Sequence, residues 1–130
     1  MTTKTAQIYL LSCPFDNEFQ GNASRYLFVC SAGMLRSPTA AAVAISLGYN
    51  ARSCGSEHYA LIRLSVNLIE WAHRIFFMNE ENYLSALDNF RPLPEYEEML
   101  LNKSTCWDIE DIYDYGAYGL KNQVTELLSV

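Results

Sequence analysis

The chain lacks most of the devices small proteins use in place of a core. Its four cysteines, at positions 13, 30, 54 and 106, form no Cys-x-x-Cys pair, and His58 and His73 are the only histidines beside them. No zinc-ligand spacing arises from that set, so neither metal nor cofactor is expected. The even cysteine count leaves two disulfides open, but 130 residues can bury a core without staples. Free thiols in a reducing, cytoplasmic setting are therefore expected. Long apolar runs are also missing. Ile8-Tyr9-Leu10-Leu11 gives way at once to Pro14 and Asp16, too short for a secretory core. No window nears the ~18–20 apolar residues of a membrane span. Positive charge is scarce, with 9 Lys and Arg against 15 Asp and Glu for a formal net charge of -6. Such a surface repels nucleic-acid phosphates and anionic lipid, which argues against nucleic-acid and membrane partners. An anion site in this chain must be built locally, from backbone N–H groups and one or two arginines.

What is present is a globular proportion of hydrophobic residues, 50%, without repeats or linkers. Residues 1–24 are mostly polar around Ala6 to Leu11 and read as an N-terminal arm or an extra edge strand; residues 25–130 read as one domain. Tyr26 to Val29 is a continuous apolar run, a buried strand. Pro38 opens the alanine-rich stretch Thr39–Leu47, closed by Gly48, which is ordinary helix punctuation. Ala51–Cys54 predicts a second strand, Leu61–Trp71 a helix with a broad apolar face, and Ile75–Met78 a third strand. Glu80–Phe90 places Tyr83, Leu84, Leu87 and Phe90 on one helical face. Pro94–Leu101 is a short helix with Glu95, Glu97 and Glu98 early in it, Thr105–Trp107 a last strand, and Leu120–Leu128 a terminal helix. This alternation predicts a single-domain α/β three-layer sandwich, a central four-stranded parallel sheet with helices on both faces. Ligands of such sheets sit beyond the carboxyl ends of the strands, and Cys30 stands at one.

The segment that follows carries the chemistry: Cys30-Ser31-Ala32-Gly33-Met34-Leu35-Arg36-Ser37-Pro38. A strand enters it, a helix leaves it, and only Cys30 among the cysteines has arginine six positions on. A short loop wrapping into a helix N-terminus turns successive N–H groups inward to form an anion nest, here Ser31 to Ser37. The helix end and a guanidinium both favour negative charge on a sulfur placed there. Arg36 can grip two oxygens of a phosphoryl group in its planar fork, a task lysine performs less well. Gly33, midway round, permits the positive φ a tight turn needs. The Ser37 hydroxyl can donate to the sulfur, cap the helix, or do both.

The loop resembles the signature of low-molecular-weight protein tyrosine phosphatases, Cys-x5-Arg-Ser-Pro after the first strand. It is most similar to a small phosphatase-like branch of bacteria and phages with a Phe-Val-Cys-Ser opening and a Leu-Arg-Ser-Pro-Thr-Ala close, here Phe28–Ser31 and Leu35–Ala40. Arg52-Ser53-Cys54-Gly55-Ser56 and Trp71-Ala72-His73-Arg74-Ile75-Phe76-Phe77-Met78 resemble two later segments in the same order. The resemblance implies hydrolysis of phosphate monoesters, phosphotyrosine in a protein above all, through a phosphocysteine on Cys30. Phosphorylated protein substrates are the partners implied. The family's general acid lies in a late loop occupied here by Ile109-Glu110-Asp111-Ile112-Tyr113. This makes Asp111 the candidate acid, with Asp108 and Asp114 as fallbacks, and Tyr113 the wall for a phenyl ring. A carboxylic acid is needed there because the leaving oxygen must be protonated as its bond to phosphorus breaks. Departures from the pattern are Gly33 for a bracing asparagine, His73 for aspartate, Asn79 for glutamate, and Glu110 and Ile112 for the prolines flanking the acid.

Two rival functions use the same residues. Arsenate reduction needs a further cysteine beside Cys30, and Met78-Asn79-Glu80-Glu81 fills the usual place, leaving Cys13, Cys54 and Cys106 as sources. A phosphate or phosphoprotein recognition module, binding without turnover, is suggested by the missing loop asparagine and the altered acid loop.

Overall fold

A computed structural model describes residues 22–129. The strand expected at Ala6–Leu11, Cys13 and most of the expected arm at 1–24 lie outside the described residues. The order is β1 (Arg25–Cys30), α1 (Arg36–Ser46), β2 (Asn50–Gly55), α2 (Val66–Trp71), β3 (Arg74–Phe77), α3 (Glu80–Asn89), α4 (Pro94–Lys103), β4 (Ser104–Cys106) and α5 (Tyr118–Leu128). The strands form one parallel sheet ordered β2-β1-β3-β4. The expected α/β architecture is therefore the observed one.

β1 is central and buried on both faces, which is why it reads as an unbroken apolar run rather than an alternation. Phe28 and Cys30 face the layer of α1 and α5, against Ala40, Ala44, Leu120 and Val124. Leu27 and Val29 face the layer of α2, α3 and α4, against Leu68, Ile69, Ala86 and Leu100. Alanines on α1 let that helix lie close to the sheet while favouring helix intrinsically. Asn79 caps α3 by accepting from the Asn82 N–H at 3.0 Å. Pro94 opens α4, with Glu95 and Glu97 in its first turn and Lys103 in its last, each at the end where the helix dipole favours its charge.

Two expectations are corrected. The helix read over Leu61–Trp71 begins only at Val66, because Ser65 caps it, accepting from the Leu68 N–H at 3.3 Å. The residues before the cap bend and form an isolated bridge instead, Arg63 beside Gly55, whose N–H donates to Ile62 O and whose carbonyl accepts from Leu64 N–H, each at 2.9 Å. Ser37 does not cap α1, which starts one residue earlier, at Arg36, with no side-chain cap. Among the described residues no helix is long and apolar enough to cross a membrane, and no His, Cys, Asp and Glu are grouped to hold a metal ion.

Candidate active site

β1 delivers Cys30 to the carboxyl edge of the sheet, where it is 3% exposed. The chain then folds back over the end of β2. The carbonyls of Cys30, Ser31 and Ala32 all turn outward and accept from the N–H groups of Ser56, Glu57 and Leu61, at 2.8, 3.1 and 3.0 Å. A trans peptide carries its N–H opposite its carbonyl. The three outward carbonyls thus aim the N–H groups of Ser31, Ala32 and Gly33 into the loop. The last of these reaches Cys30 Sγ at 3.3 Å. Three successive N–H groups thus line a concave stretch of the loop around Cys30 Sγ.

Gly33 makes the turn at φ 71°. A Cβ there would stand 2.9 Å from both Cys54 C and Gly55 N, so the loop rests backbone to backbone on β2. The loop therefore has no room for a side chain at this point.

Cys30 Sγ lies 3.1 Å from Ser37 Oγ, which itself donates to Cys54 O at 3.1 Å. One hydroxyl hydrogen serves two acceptors in turn. With a neutral thiol, S–H donates to Ser37 and Ser37 to the carbonyl; with a thiolate, the hydroxyl swings its hydrogen to sulfur. Cys54 is fully buried on the other face of the sheet, among Leu64 and Leu68. Burial pushes its thiol well up, and the Cys30 sulfur adds to the effect.

Arg36 is 1% exposed. Its Nη1 donates to Ile109 O at 2.9 Å, its Nη2 points at Ser31 Oγ at 3.5 Å, and its Nε stands 3.4 Å from Asp111 Oδ1. The structure thus brings Cys30, Ser31, Gly33, Arg36, Ser37 and Asp111 together. The loop that carries Asp111 is fixed at both ends. Trp107 and Ile109 donate from their N–H groups to Phe77 O and Met78 O, at 2.8 and 2.9 Å. At the far end Thr39 Oγ1 accepts from Gly116 N–H and donates to Leu35 O, both at 2.8 Å. Asp111, between these anchors, is 59% exposed and faces solvent beside the buried guanidinium. Asp108 and Asp114 are exposed on the same loop. Tyr113 is half-buried against the α1–α5 core, its ring against Gly119 at the start of α5. Met34 is exposed, and Ala32 and Leu35 half-buried, at the rim.

Sequence reasoning missed Asn82. It is 1% exposed on α3, and its Nδ2 donates to Ser31 Oγ at 3.0 Å and to Ser56 Oγ at 3.3 Å. Its spacing to Ala86, four residues on and equally buried, was the available signal, but Asn and Ala do not register as an apolar face.

A comparison with protein-family models finds no match, and neither does one with curated proteins. Among solved structures, Wzb from Vibrio vulnificus, in complex with benzylphosphonate, is similar at TM-score 0.63 and 17% identity, over 83% of this chain and 98% of that one. The YwlE arginine phosphatase from Geobacillus stearothermophilus is similar at TM-score 0.53 and 20% identity, over 81% and 85%. These likenesses show that the chain shares the fold of those two structures.

Proposed function

We propose that this protein hydrolyses phosphate monoesters through a phosphocysteine on Cys30, with phosphotyrosine in proteins as the substrate class. The observation that carries the reading is the seating of one buried sulfur against inward N–H groups, the Ser37 hydroxyl and a buried guanidinium. The Cys30 thiolate attacks phosphorus, and Arg36 with the loop amides stabilises the equatorial oxygens as charge gathers on them. As the P–O bond breaks, the Asp111 carboxyl gives its proton to the leaving oxygen, and Tyr113 flanks the leaving ring. A water then loses a proton to the Asp111 carboxylate and attacks phosphorus. The S–P bond breaks, releasing inorganic phosphate and regenerating the thiolate, which the Ser37 hydroxyl steadies.

Arsenate reduction has less support. Cys54 points to the opposite face from Cys30, and Cys106 lies on β4, separated from β1 by β3. Because one structural neighbour is an arginine phosphatase, phosphoarginine peptides belong beside phosphotyrosine peptides in the substrate panel.

The test is the initial rate on p-nitrophenyl phosphate at mildly acidic pH, with chelator, for wild type and Cys30→Ser. The expected result is a chelator-resistant rate that vanishes in the variant. No wild-type rate, with vanadate still bound, would favour a recognition module; no rate and no binding would end the phosphate-loop reading.

A further inference from the structure

Gly33 offers the loop no side chain to brace it, yet the loop is braced from another element. Asn82, almost wholly buried on α3, spends both hydrogens of its Nδ2 on hydroxyls: Ser31 Oγ at 3.0 Å, inside the loop, and Ser56 Oγ at 3.3 Å, just past the end of β2. Ser31 Oγ is also the atom that Arg36 Nη2 approaches at 3.5 Å. A hydroxyl oxygen that accepts from an amide on one side and faces a guanidinium on the other has one hydrogen left to donate. The helix that carries Asn82 is itself held, for the Asn82 backbone N–H is capped by Asn79 and Asn89 Nδ2 ties the far end of α3 to Ser56 O at 3.3 Å. Asn82 Oδ1 is buried with no hydrogen-bond partner among the described residues, so the bonds of this carboxamide run through its Nδ2 alone.

We propose that Asn82 is a positioning residue: it fixes the Ser31 hydroxyl, and through it the Arg36 fork, in the geometry that receives a phosphoryl group. It does not touch substrate. The proposal rests on the phosphatase reading for its kinetic test, though not for its binding test.

The experiment is a double-mutant cycle of Asn82→Ala and Ser31→Ala, measured as kcat and KM on p-nitrophenyl phosphate and as affinity for orthovanadate. Ser85→Ala serves as control: it removes another α3 bond, Ser85 Oγ to Glu57 Oε1 at 3.0 Å, which meets the Asn82 contacts only at a remove, where Ser56 Oγ approaches the same Glu57 oxygen at 3.5 Å. Asn82→Ala is expected to lower kcat/KM and vanadate affinity about five- to tenfold, the range of one neutral hydrogen bond. In the Ser31→Ala background it should cost little more, because the two residues act as one unit. Ser85→Ala should leave both quantities unchanged. Losses that multiply in the double variant, or an Asn82→Ala protein with wild-type vanadate affinity and kcat/KM, would overturn the proposal. A loss matched by Ser85→Ala would reduce Asn82 to a packing role and also overturn it. If the wild type binds vanadate but turns nothing over, the phosphatase reading fails alone and the cycle is decided by affinity. If it binds no vanadate, both fall together.

Discussion

Replacing Gly33 by alanine tests the loop where its geometry is least forgiving. Two costs combine. At φ 71° an L-residue with a Cβ is strained, by about 1 kcal/mol. The added Cβ would meet Cys54 C and Gly55 N at 2.9 Å and Cys54 O at 3.3 Å, all backbone atoms of a sheet strand that cannot swing aside as a flexible side chain could. Overpacking of this kind costs about 1–3 kcal/mol. The sum, about 2–4 kcal/mol, corresponds to a fall in Tm of roughly 8–16 °C for a domain of this size. The nest should suffer with it, because a loop lifted off β2 loses the outward carbonyl bonds that aim its N–H groups inward. Gly33→Asn sharpens the test. Asparagine tolerates a positive φ better than alanine and is the residue the resemblance leads one to expect, but its Cβ makes the same contacts. It should therefore destabilise this chain rather than restore a lost brace. Thermal melts and vanadate titration of both variants are the assay. A Gly33→Asn protein as stable as wild type, with equal or tighter vanadate binding, would refute the reasoning.

Arg36→Lys keeps the charge but cannot reach Ile109 O and present a fork at once; kcat should fall about 10²–10³-fold, and unchanged turnover would contradict the assigned role. Asp111→Asn should cost about 10²–10⁴-fold on phenyl phosphate and much less on p-nitrophenyl phosphate, whose leaving group needs no proton. A larger loss from Asp108→Asn or Asp114→Asn would move the acid to that residue. Burial holds the Cys54 thiol well above its ordinary value, so the unfolded chain gives up that proton first as pH rises. Folding stability should then decline above roughly pH 8.5, by at most about 1.4 kcal/mol per pH unit for this group. Denaturant titrations at alkaline pH should show a shallower decline for Cys54→Ala, and an identical slope would contradict the assignment.

The part of this molecule legible in the sequence is the part built from near neighbours along the chain. A buried strand, a cysteine, a glycine, an arginine and an alanine-rich helix follow one another within residues 25–46, and the sheet end they specify is where Cys30 lies. Asp111 was legible only by its order in the chain, and its place beside Arg36 depends on the Ile109 backbone, whose N–H donates to Met78 O and whose carbonyl accepts from Arg36 Nη1, bonds that no local pattern announces. The apolar residues at 61, 62 and 64 mimic helical spacing, yet Ile62 and Leu64 flank an isolated bridge to Gly55, and the cap at Ser65 outweighs them. Arg52, 1% exposed inside β2 with its guanidinium over the Trp71 ring, is a buried charge that composition would place at the surface. Asn82 joins positions 51 and 26 residues away, and such long-range polar contacts leave no trace in periodicity.

The central claim is that Cys30 carries the phosphoryl group, and the direct measurement is to catch it there. Asp111→Asn, slowed in hydrolysis of the intermediate, would be mixed with p-nitrophenyl phosphate, quenched rapidly in acid, and mapped by peptide mass spectrometry. One phosphoryl group on the Cys30 peptide, absent from the same variant carrying Cys30→Ser, is the result predicted. Turnover of the substrate with no phosphocysteine, or with the phosphoryl group on another residue, would contradict the account.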